Sequence, residues 1–200
     1  MFGKIGWRRA LLCCFAFSSL LDAFVTVGVN AKQDRAWKHY RNPNLGYCVS
    51  YPGRWSRGDA FEGDGLFVET GAEKSSRPIG EIDIGPLFVP PEDARIRPVN
   101  LSEDLKDHLE GLQKFERAER MDVFEKREIQ FLGSSALFTK CRYYDPQERA
   151  NWVEELLFVN HAQTLYRLEL ECRADQLARF EPVFSYLLTT FQFDCDPARR

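Results

Sequence analysis

The sequence predicts an α+β protein in which helices pack on an antiparallel β-sheet. Short segments with an alternating apolar and polar pattern come first, and one segment with helical spacing follows them. Three long alternating segments and a second helical segment complete the chain. Because the strands and helices come in groups rather than in strict alternation, the order is typical of an antiparallel sheet with segregated helices.

The first strands lie in the N-terminal half of the chain. Residues 45–51 alternate and are followed by Pro52-Gly53, which indicates a strand and a turn. The apolar side chains of this strand share one face and are Leu45, Tyr47, Val49 and Tyr51. A second strand is predicted at 66–70 and a third at 81–89, with a polar loop between them.

Residues 100–112 change to helical spacing. Four leucines form one apolar stripe, namely Leu101, Leu105, Leu109 and Leu112. Asn100 and Glu103 resemble a capping box, and Asp104 suits the positive end of the helix dipole. The pattern therefore predicts a helix that begins just after Asn100.

The C-terminal half predicts a meander of strands at 124–144, 151–160 and 163–173, with a turn or break at Gly133 in the first of them. In the last strand, one face is apolar and the other carries Arg167, Glu169 and Glu171, so we expect that face to be solvated or covered by polar material. A final helix has one apolar side. Its proline, Pro182, is expected near the first turn or at a kink.

The N-terminus has the form of a secretory signal peptide. A basic tip precedes an uncharged apolar run, and Val29-Asn30-Ala31 supplies a cleavage site between Ala31 and Lys32. An uncleaved anchor is the alternative, because residues 24–29 could extend the apolar run. The predicted organisation is a signal peptide at 1–31, a polar leader at 32–44, one domain at 45–195 and a tail at 196–200.

Composition excludes several classes of function. Without Lys4, Arg8, Arg9 and Asp22 of the signal peptide, 24 basic and 29 acidic residues give the exported chain a net charge of −5. This balance argues against nucleic acid or an anionic membrane surface as a partner. The chain also has 16 Phe, 7 Tyr and 4 Trp, too many aromatic residues for a disordered protein.

Four cysteines follow the signal peptide, namely Cys48, Cys141, Cys172 and Cys195. An even number in an exported protein favours disulfides over metal ligation. In a simple meander, Cys141 and Cys172 would lie about 9.5 Å apart across the middle strand, too far for a disulfide. That pair would need a strand order other than the meander. Cys48 and Cys195 lie near the two ends of the domain, and we favour a disulfide between them, which would join the first strand to the final helix. Free thiols are the alternative for either pair.

Several candidate sites fail on spacing. His39, His108 and His161 are far apart in sequence, and none has a carboxylate at metal-ligand spacing, so no metal site is predicted. An acidic loop at 59–64 lacks the alternating ligands of a calcium loop.

Catalytic arrangements are not convincing either. A Cys141 nucleophile with His161 as base is less probable than disulfide pairing, and Ser134-Ser135 lacks the elbow of a serine hydrolase. Glu169 and Glu171 would stand about 7 Å apart on one strand face, but Arg167 beside them favours a simple charged surface. No catalytic, cofactor-binding or metal-binding residue is predicted.

Three segments resemble PsbP-like domains. Residues 45–55 (LGYCVSYPGRW) are similar to the opening strand of the family, and residues 129–136 (IQFLGSSA) to its strand, glycine turn and long strand. Residues 180–191 look like its closing helix. The resemblance implies an α/β/α sandwich, shared with the yeast Ran-binding Mog protein. Family members range from photosystem accessory subunits to bacterial envelope proteins, and no functional residue of the family transfers to this chain.

We therefore expect an exported, periplasmic or secreted domain that is not an enzyme, uses no cofactor and acts as an accessory or interaction module on a protein partner. One alternative is a protein that binds a small apolar ligand or lipid. A hydrolase with an unrecognised carboxylate site is a further alternative. After signal cleavage we expect no membrane span.

Overall fold

The computed structural model describes residues 36–60, 65–70, 79–88, 100–115 and 117–195, apart from the side chains of residues 59, 60 and 88. The predicted signal peptide, its cleavage site at Ala31 and Lys32, the tail at 196–200 and most of the acidic loop lie outside these residues. Within the described ranges, no helix is long and apolar enough to cross a membrane.

The described residues form nine strands, two α-helices and one short 3₁₀ helix, Ala174–Gln176, which immediately precedes the second α-helix. The N-terminal strands are β1 (Trp37–Arg41), β2 (Cys48–Pro52), β3 (Ser56–Ala60), β4 (Gly65–Thr70) and β5 (Gly80–Phe88). The remaining elements are α1 (Leu101–Phe115), β6 (Glu119–Phe131), β7 (Ser134–Asp145), β8 (Ala150–His161), β9 (Thr164–Arg173) and α2 (Leu177–Thr190).

Seven strands form one antiparallel sheet in the order β3-β4-β5-β9-β8-β7-β6, while β1 and β2 form a separate hairpin. The segment predicted as one long strand at 124–144 is a hairpin of β6 and β7. Its turn has Leu132 and Gly133 at φ angles of 51° and 81°, the left-handed geometry that tight two-residue hairpins require.

The sheet has two covered faces. On the first, here called the α2 face, α2 and the β1–β2 hairpin pack on apolar side chains of the sheet such as Leu168, Leu170 and Ile82. On the second, the α1 face, the leucines of α1 pack on side chains from β7, β8 and β9. The prediction of an α+β fold with helices flanking an antiparallel sheet is confirmed.

The start of the fold differs from the prediction. The polar leader assigned to residues 32–44 contains β1, whose five residues pair with β2, and Tyr40 within it is only 6 % exposed. Trp37 contacts Tyr186 of α2, with ring centroids 4.4 Å apart. Residues 37–41 of the predicted leader therefore contribute a strand to the fold, and a strand of five residues with few apolar side chains is hard to distinguish from polar sequence.

The helix ends follow the sequence closely. The Asn100 side-chain oxygen accepts hydrogen bonds from the backbone N–H groups of Ser102 and Glu103, as the predicted cap requires. Helix α1 continues to Phe115, three residues beyond the predicted end. Pro182 lies in the second turn of α2, where its ring cannot donate a backbone hydrogen bond.

The cysteines separate into one pair and two single thiols. Cys48 and Cys195 form a disulfide with their Cα atoms 5.9 Å apart, and backbone hydrogen bonds between Cys48 and Gln192 lie beside it. Cys141 and Cys172 are both free and buried. They lie on opposite faces of the sheet with β8 between them, so they form no disulfide, although both were candidates.

Candidate functional site

The α1 face is not the exposed charged surface that the sequence indicated. Glu169 is 7 % exposed, Glu171 4 % and Glu154 of the neighbouring strand 0 %. Alternation along β9 correctly placed these carboxylates on one face, but it could not tell that α1 lies over that face. The interpretation of Arg167, Glu169 and Glu171 as a solvated face is therefore wrong.

Strand register brings the buried charges together. Glu169 lies opposite Asp83 of β5 on one side and opposite Leu156 of β8 on the other. Glu154 is two residues from Leu156 on the same face of β8, and Arg167 is two residues from Glu169 on β9. Helix α1 adds His108 from above. We call His108, Glu154, Glu169, Arg167 and Asp83 the buried charged cluster.

Apolar contacts hold α1 in place on each side of His108. Leu105 packs with side chains of the sheet, including Leu137, Leu156 and Phe158. Leu112, two turns further on, packs with Tyr143 and Trp152. Because His108 lies one turn after Leu105 on the same helix face, this packing points its imidazole at the sheet.

The imidazole of His108 lies between Glu154 of β8 and Arg167 of β9. Its Nε2 lies 3.0 Å from Glu154 Oε2, and its Nδ1 lies 3.3 Å from Arg167 Nη1. Since a guanidinium only donates, Nδ1 of the neutral ring accepts and Nε2 carries the proton toward Glu154. Burial lowers the pKa of His108, but the hydrogen bond and negative charge of Glu154 outweigh burial and leave the pKa raised.

The other two carboxylates share one guanidinium. Arg167 Nε lies 2.9 Å from Glu169 Oε2, and Arg167 Nη2 lies 3.9 Å from Asp83 Oδ2. Burial raises the pKa of Asp83 to about 6 and also raises the pKa of Glu169, although Arg167 opposes both shifts. Three carboxylates thus face one permanent cation and one histidine in a site with little solvent.

Some oxygen atoms in this region have no hydrogen-bond partner in the described part of the chain. They are Glu154 Oε1, Asp83 Oδ1 and Thr139 Oγ1, each buried. Thr139 lies opposite Leu156 on β7, which places it on the same face as Glu154. Most buried polar atoms in proteins are hydrogen-bonded, so Glu154 Oε1, which lies within the buried charged cluster itself, is an exception.

Cys141 lies at the edge of the cluster, where its thiol donates to Glu154 Oε2 at 3.4 Å. Burial and then the charge of Glu154 raise the pKa of Cys141 well above its ordinary value, so the thiol is a poor nucleophile. The proposed base His161 is instead stacked on Phe193 and hydrogen-bonded to Ser134. It is seven residues along β8 from Glu154, about 23 Å, so no Cys141–His161 pair forms.

An open cavity of about 750 Å³ lies elsewhere on the molecule. It is bounded by the start of α1 and the β6–β7 hairpin, including Asn100, Glu128 and Ser135. The residues that bound it include none of the buried charged cluster. His39, the third histidine, lies on β1 and is exposed.

The fold thus brings one of the three histidines to carboxylates that are distant from it in sequence. Ligand atoms of His108, Glu154 and Glu169 all lie within 4.8 Å of one another. Sequence spacing missed this group because its members come from a helix and two strands. The available signal was His108 itself, a polar residue on the apolar stripe of α1, one turn after Leu105.

Comparison with known proteins defines the class of fold. No protein-family model matches the chain, and no curated protein matches it either. The PsbP protein of the cyanobacterium Synechocystis sp. PCC 6803 (CyanoP) is similar in structure, with a TM-score of 0.57 and 10 % sequence identity over 79 % of this chain and 92 % of that one. The protein thus has a distantly PsbP-like fold.

Two other solved structures are also similar. A protein from Bacteroides thetaiotaomicron has a TM-score of 0.52 and 10 % identity, over 82 % of this chain and 50 % of that one. A Pseudomonas aeruginosa protein of unknown function, described as a putative regulator, has a TM-score of 0.45 and 14 % identity, over 74 % of this chain and 91 % of that one. At these identities the likenesses concern the fold alone.

Proposed function

We propose that this chain is an exported accessory domain of the cell envelope that contacts a protein partner and does not act as an enzyme. Export is supported by the signal-peptide pattern of residues 1–31 and its cleavage site after Ala31. It is also supported by the Cys48–Cys195 disulfide, since such bonds persist in oxidising compartments. The PsbP-like fold is consistent with an accessory role, but folds of this kind do not specify a function.

The position of the carboxylates argues against a hydrolase. Glu154 is fully buried and Glu169 nearly so, both beneath α1, where a substrate would have to displace the helix to reach them. The open cavity lies at the start of α1 and is bounded by other residues. Catalytic acids and bases must lie within hydrogen-bonding reach of a bound substrate, and this arrangement does not provide that.

The apolar core gives little support to the alternative of a lipid-binding protein. On the α2 face, aromatic rings pack directly against one another, with Tyr47 and Phe191 centroids 5.5 Å apart and Trp55 and Phe180 also 5.5 Å apart. These rings therefore contact each other in the layer between sheet and helix where an apolar ligand would have to lie.

The single observation that carries the proposal is a set of exposed apolar side chains at the sheet edge, two on the edge strand β6 and one at the end of α1. Phe115 is 75 % exposed, Phe124 47 % and Val123 39 %, and we call these three residues the edge patch. Strand β6 is the last in the sheet order, and its register shifts twice between Glu119 and Glu125. Exposed aromatic side chains next to an arginine, here Arg142 over Phe124, are typical of protein interfaces.

The proposal is tested by site-specific crosslinking in the native cell. A photoreactive amino acid replaces Phe124 in one strain and Tyr186, equally exposed on α2, in a control strain. We expect one protein to be captured reproducibly at position 124 and not at position 186, and we expect Val123→Ser to reduce that capture. Equal capture at both positions, or capture of nothing but a second copy of this chain, would contradict the proposal.

A further inference from the structure

We propose that the buried charged cluster binds one divalent transition-metal ion, for which zinc is the best match, through His108 Nε2 and the carboxylates of Glu154 and Glu169. This inference is independent of the proposed partner, because it concerns the α1 face and not the edge patch.

The positions of the three ligand groups suit a single ion. His108 Nε2 and Glu154 Oε2 are 3.0 Å apart, and a ligand atom of Glu169 lies within 4.8 Å of both. Ligand atoms around one tetrahedral zinc ion are separated by roughly 3.4 Å. Small side-chain rotations are therefore enough to bring all three onto one ion, with a fourth position left for water.

An independent observation also indicates a missing ligand. Glu154 uses Oε2 for both His108 and Cys141, whereas its Oε1 is buried and has no hydrogen-bond partner among the described residues. The side chain is only 1 % exposed, so bulk water does not reach this oxygen. A bound cation would satisfy it, since a buried carboxylate oxygen without a partner is costly.

Charge balance supports the same conclusion. Asp83, Glu154 and Glu169 can carry three negative charges, and Arg167 supplies one permanent positive charge beside them. With neutral His108 these four ionised groups sum to −2. Such a buried excess is relieved either by protons or by one divalent cation.

The ligand types select among cations. One imidazole nitrogen with carboxylate oxygens suits zinc and its neighbours in the first transition row, whereas magnesium and calcium prefer all-oxygen sites. The thiol of Cys141 lies next to Glu154, which further favours an ion that tolerates sulfur.

Arg167 must move when the ion binds. Metal ligation through Nε2 transfers the ring proton of His108 to Nδ1, and this N–H then faces the donor Nη1 of Arg167. Two donors repel each other, so the guanidinium turns away toward Asp83. The Arg167–Asp83 separation of 3.9 Å and the partnerless Asp83 Oδ1 indicate that a closer ion pair can form there. Arg167 thus holds the site closed in the absence of metal.

The exposed fractions of the side chains indicate an entry route. Asp83 is 24 % exposed and Arg167 19 %, compared with 11 % for His108. An ion that enters beside Asp83 and displaces Arg167 therefore reaches His108 and the two glutamates without unfolding α1.

The experiment is a zinc titration of the full chain without a histidine tag, followed by competition with a chromophoric chelator and by calorimetry. We expect one high-affinity zinc ion per chain. Glu154→Gln should weaken binding at least about tenfold. Arg167→Gln should instead strengthen it, because the amide oxygen can accept from Nδ1–H and one positive charge is removed. Arg167→Lys, which keeps the charge, should not strengthen it.

Two controls separate loss of a metal ligand from unfolding of the chain. His39→Ala removes an exposed histidine outside the cluster and should leave the affinity unchanged. Circular dichroism verifies that each variant is folded, and stronger binding by Arg167→Gln cannot result from unfolding. Absence of a stoichiometric zinc ion, or equal affinity of wild type and a folded Glu154→Gln variant, would overturn the proposal.

Discussion

The two faces of the sheet are buried in different ways. On the α2 face the buried acid Glu155 has a close cation in Lys140, which also contacts Glu181 of α2. The rest of that face is a continuous apolar cluster. On the α1 face, three carboxylates share Arg167 and His108 between two small apolar clusters. The first arrangement gives its buried carboxylate a close cation, whereas the second leaves more carboxylates than cations beneath α1.

Close packing on the α2 face is visible at Gly80. A Cβ atom placed there would lie 2.7 Å from the ring of Phe180, so only glycine lets β5 and α2 approach this closely. The α1 face has no such constraint at Gly111, where a Cβ atom would meet nothing within 4 Å. Gly80 is therefore a point of close approach between sheet and helix, and Gly111 is not.

The largest effect on the free energy of unfolding is expected when a buried leucine of each helix is replaced by alanine and the two losses are compared. Leu187→Ala on α2 should lower the free energy of unfolding by about 4 kcal/mol, and Leu105→Ala on α1 by about 2 kcal/mol. Both side chains are buried, but Leu187 belongs to the large aromatic cluster that cannot collapse around a cavity. Urea unfolding measures both losses. An equal or larger loss for Leu105→Ala would show that α1 is as tightly packed as α2.

The disulfide is the second test of the α2 face. Replacing Cys48 and Cys195 together by serine should lower the free energy of unfolding by about 2–5 kcal/mol, because a bond across 147 residues strongly restricts the unfolded chain. The same denaturant experiment applies. Cys172→Ser, at a buried free thiol, serves as the comparison. A loss no greater than that of Cys172→Ser would mean that the bond does not stabilise the fold.

A pH experiment tests the α1 face with metal removed by a chelator. Burial raises the pKa of Asp83 from 3.8 to about 6, so the folded state holds this proton more tightly than the unfolded state does. The resulting stability is complete below about pH 4 and is lost as the pH rises through 6.

Asp83→Asn removes this dependence. Between pH 4 and pH 7, the free energy of unfolding of the variant should rise relative to that of the wild type by on the order of 2 kcal/mol. Thermal unfolding at each pH measures this difference. Glu110→Gln, at a side chain 63 % exposed on the outer side of α1, is the control. If the difference in unfolding free energy between Asp83→Asn and the wild type does not change with pH, the Asp83 carboxylate has an ordinary pKa. The α1 face would then be more accessible to solvent than the structure indicates.

The smallest expected effect is at the start of α1. Asn100→Ala removes the acceptor of two backbone hydrogen bonds and should cost about 1 kcal/mol, whereas Asn100→Asp should cost much less. Hydrogen exchange of α1 amides measures the local change. Unaltered exchange in Asn100→Ala would mean that the leucine contacts alone hold the helix on the sheet.

Some features of the molecule could be predicted from local sequence. The cap at Asn100, the leucine stripe of α1 and the turn at Gly133 each depend on residues a few positions apart, and the structure has all three. The leader was misread because β1 has only five residues, and its inward Tyr40 is recognisable only once β2 pairs with it. Short strands carry too little pattern to be distinguished from polar loops.

The charged cluster could not be predicted for a different reason. Glu154 and Glu169 come from two strands and His108 from a helix 46 residues before Glu154, so no local spacing relates them. Alternation along β9 correctly predicted which face of the sheet carries Glu169, but it could not predict that helix α1 packs over that face. Whether a charged strand face is exposed depends on which helix packs over it, and that is a property of the whole fold.

By itself, the sequence determined the α+β class, the helix boundaries near Asn100 and the meander that keeps Cys141 from Cys172, because periodicity and turn residues act over short distances. Only the tertiary structure decided that β1 belongs to the fold and that α1 covers the charged face. It also brought His108 to Glu154 and Glu169. Those outcomes depend on how apolar faces of distant segments pack together. Such packing brings residues into contact whatever their separation along the chain, so local sequence spacing does not reveal it.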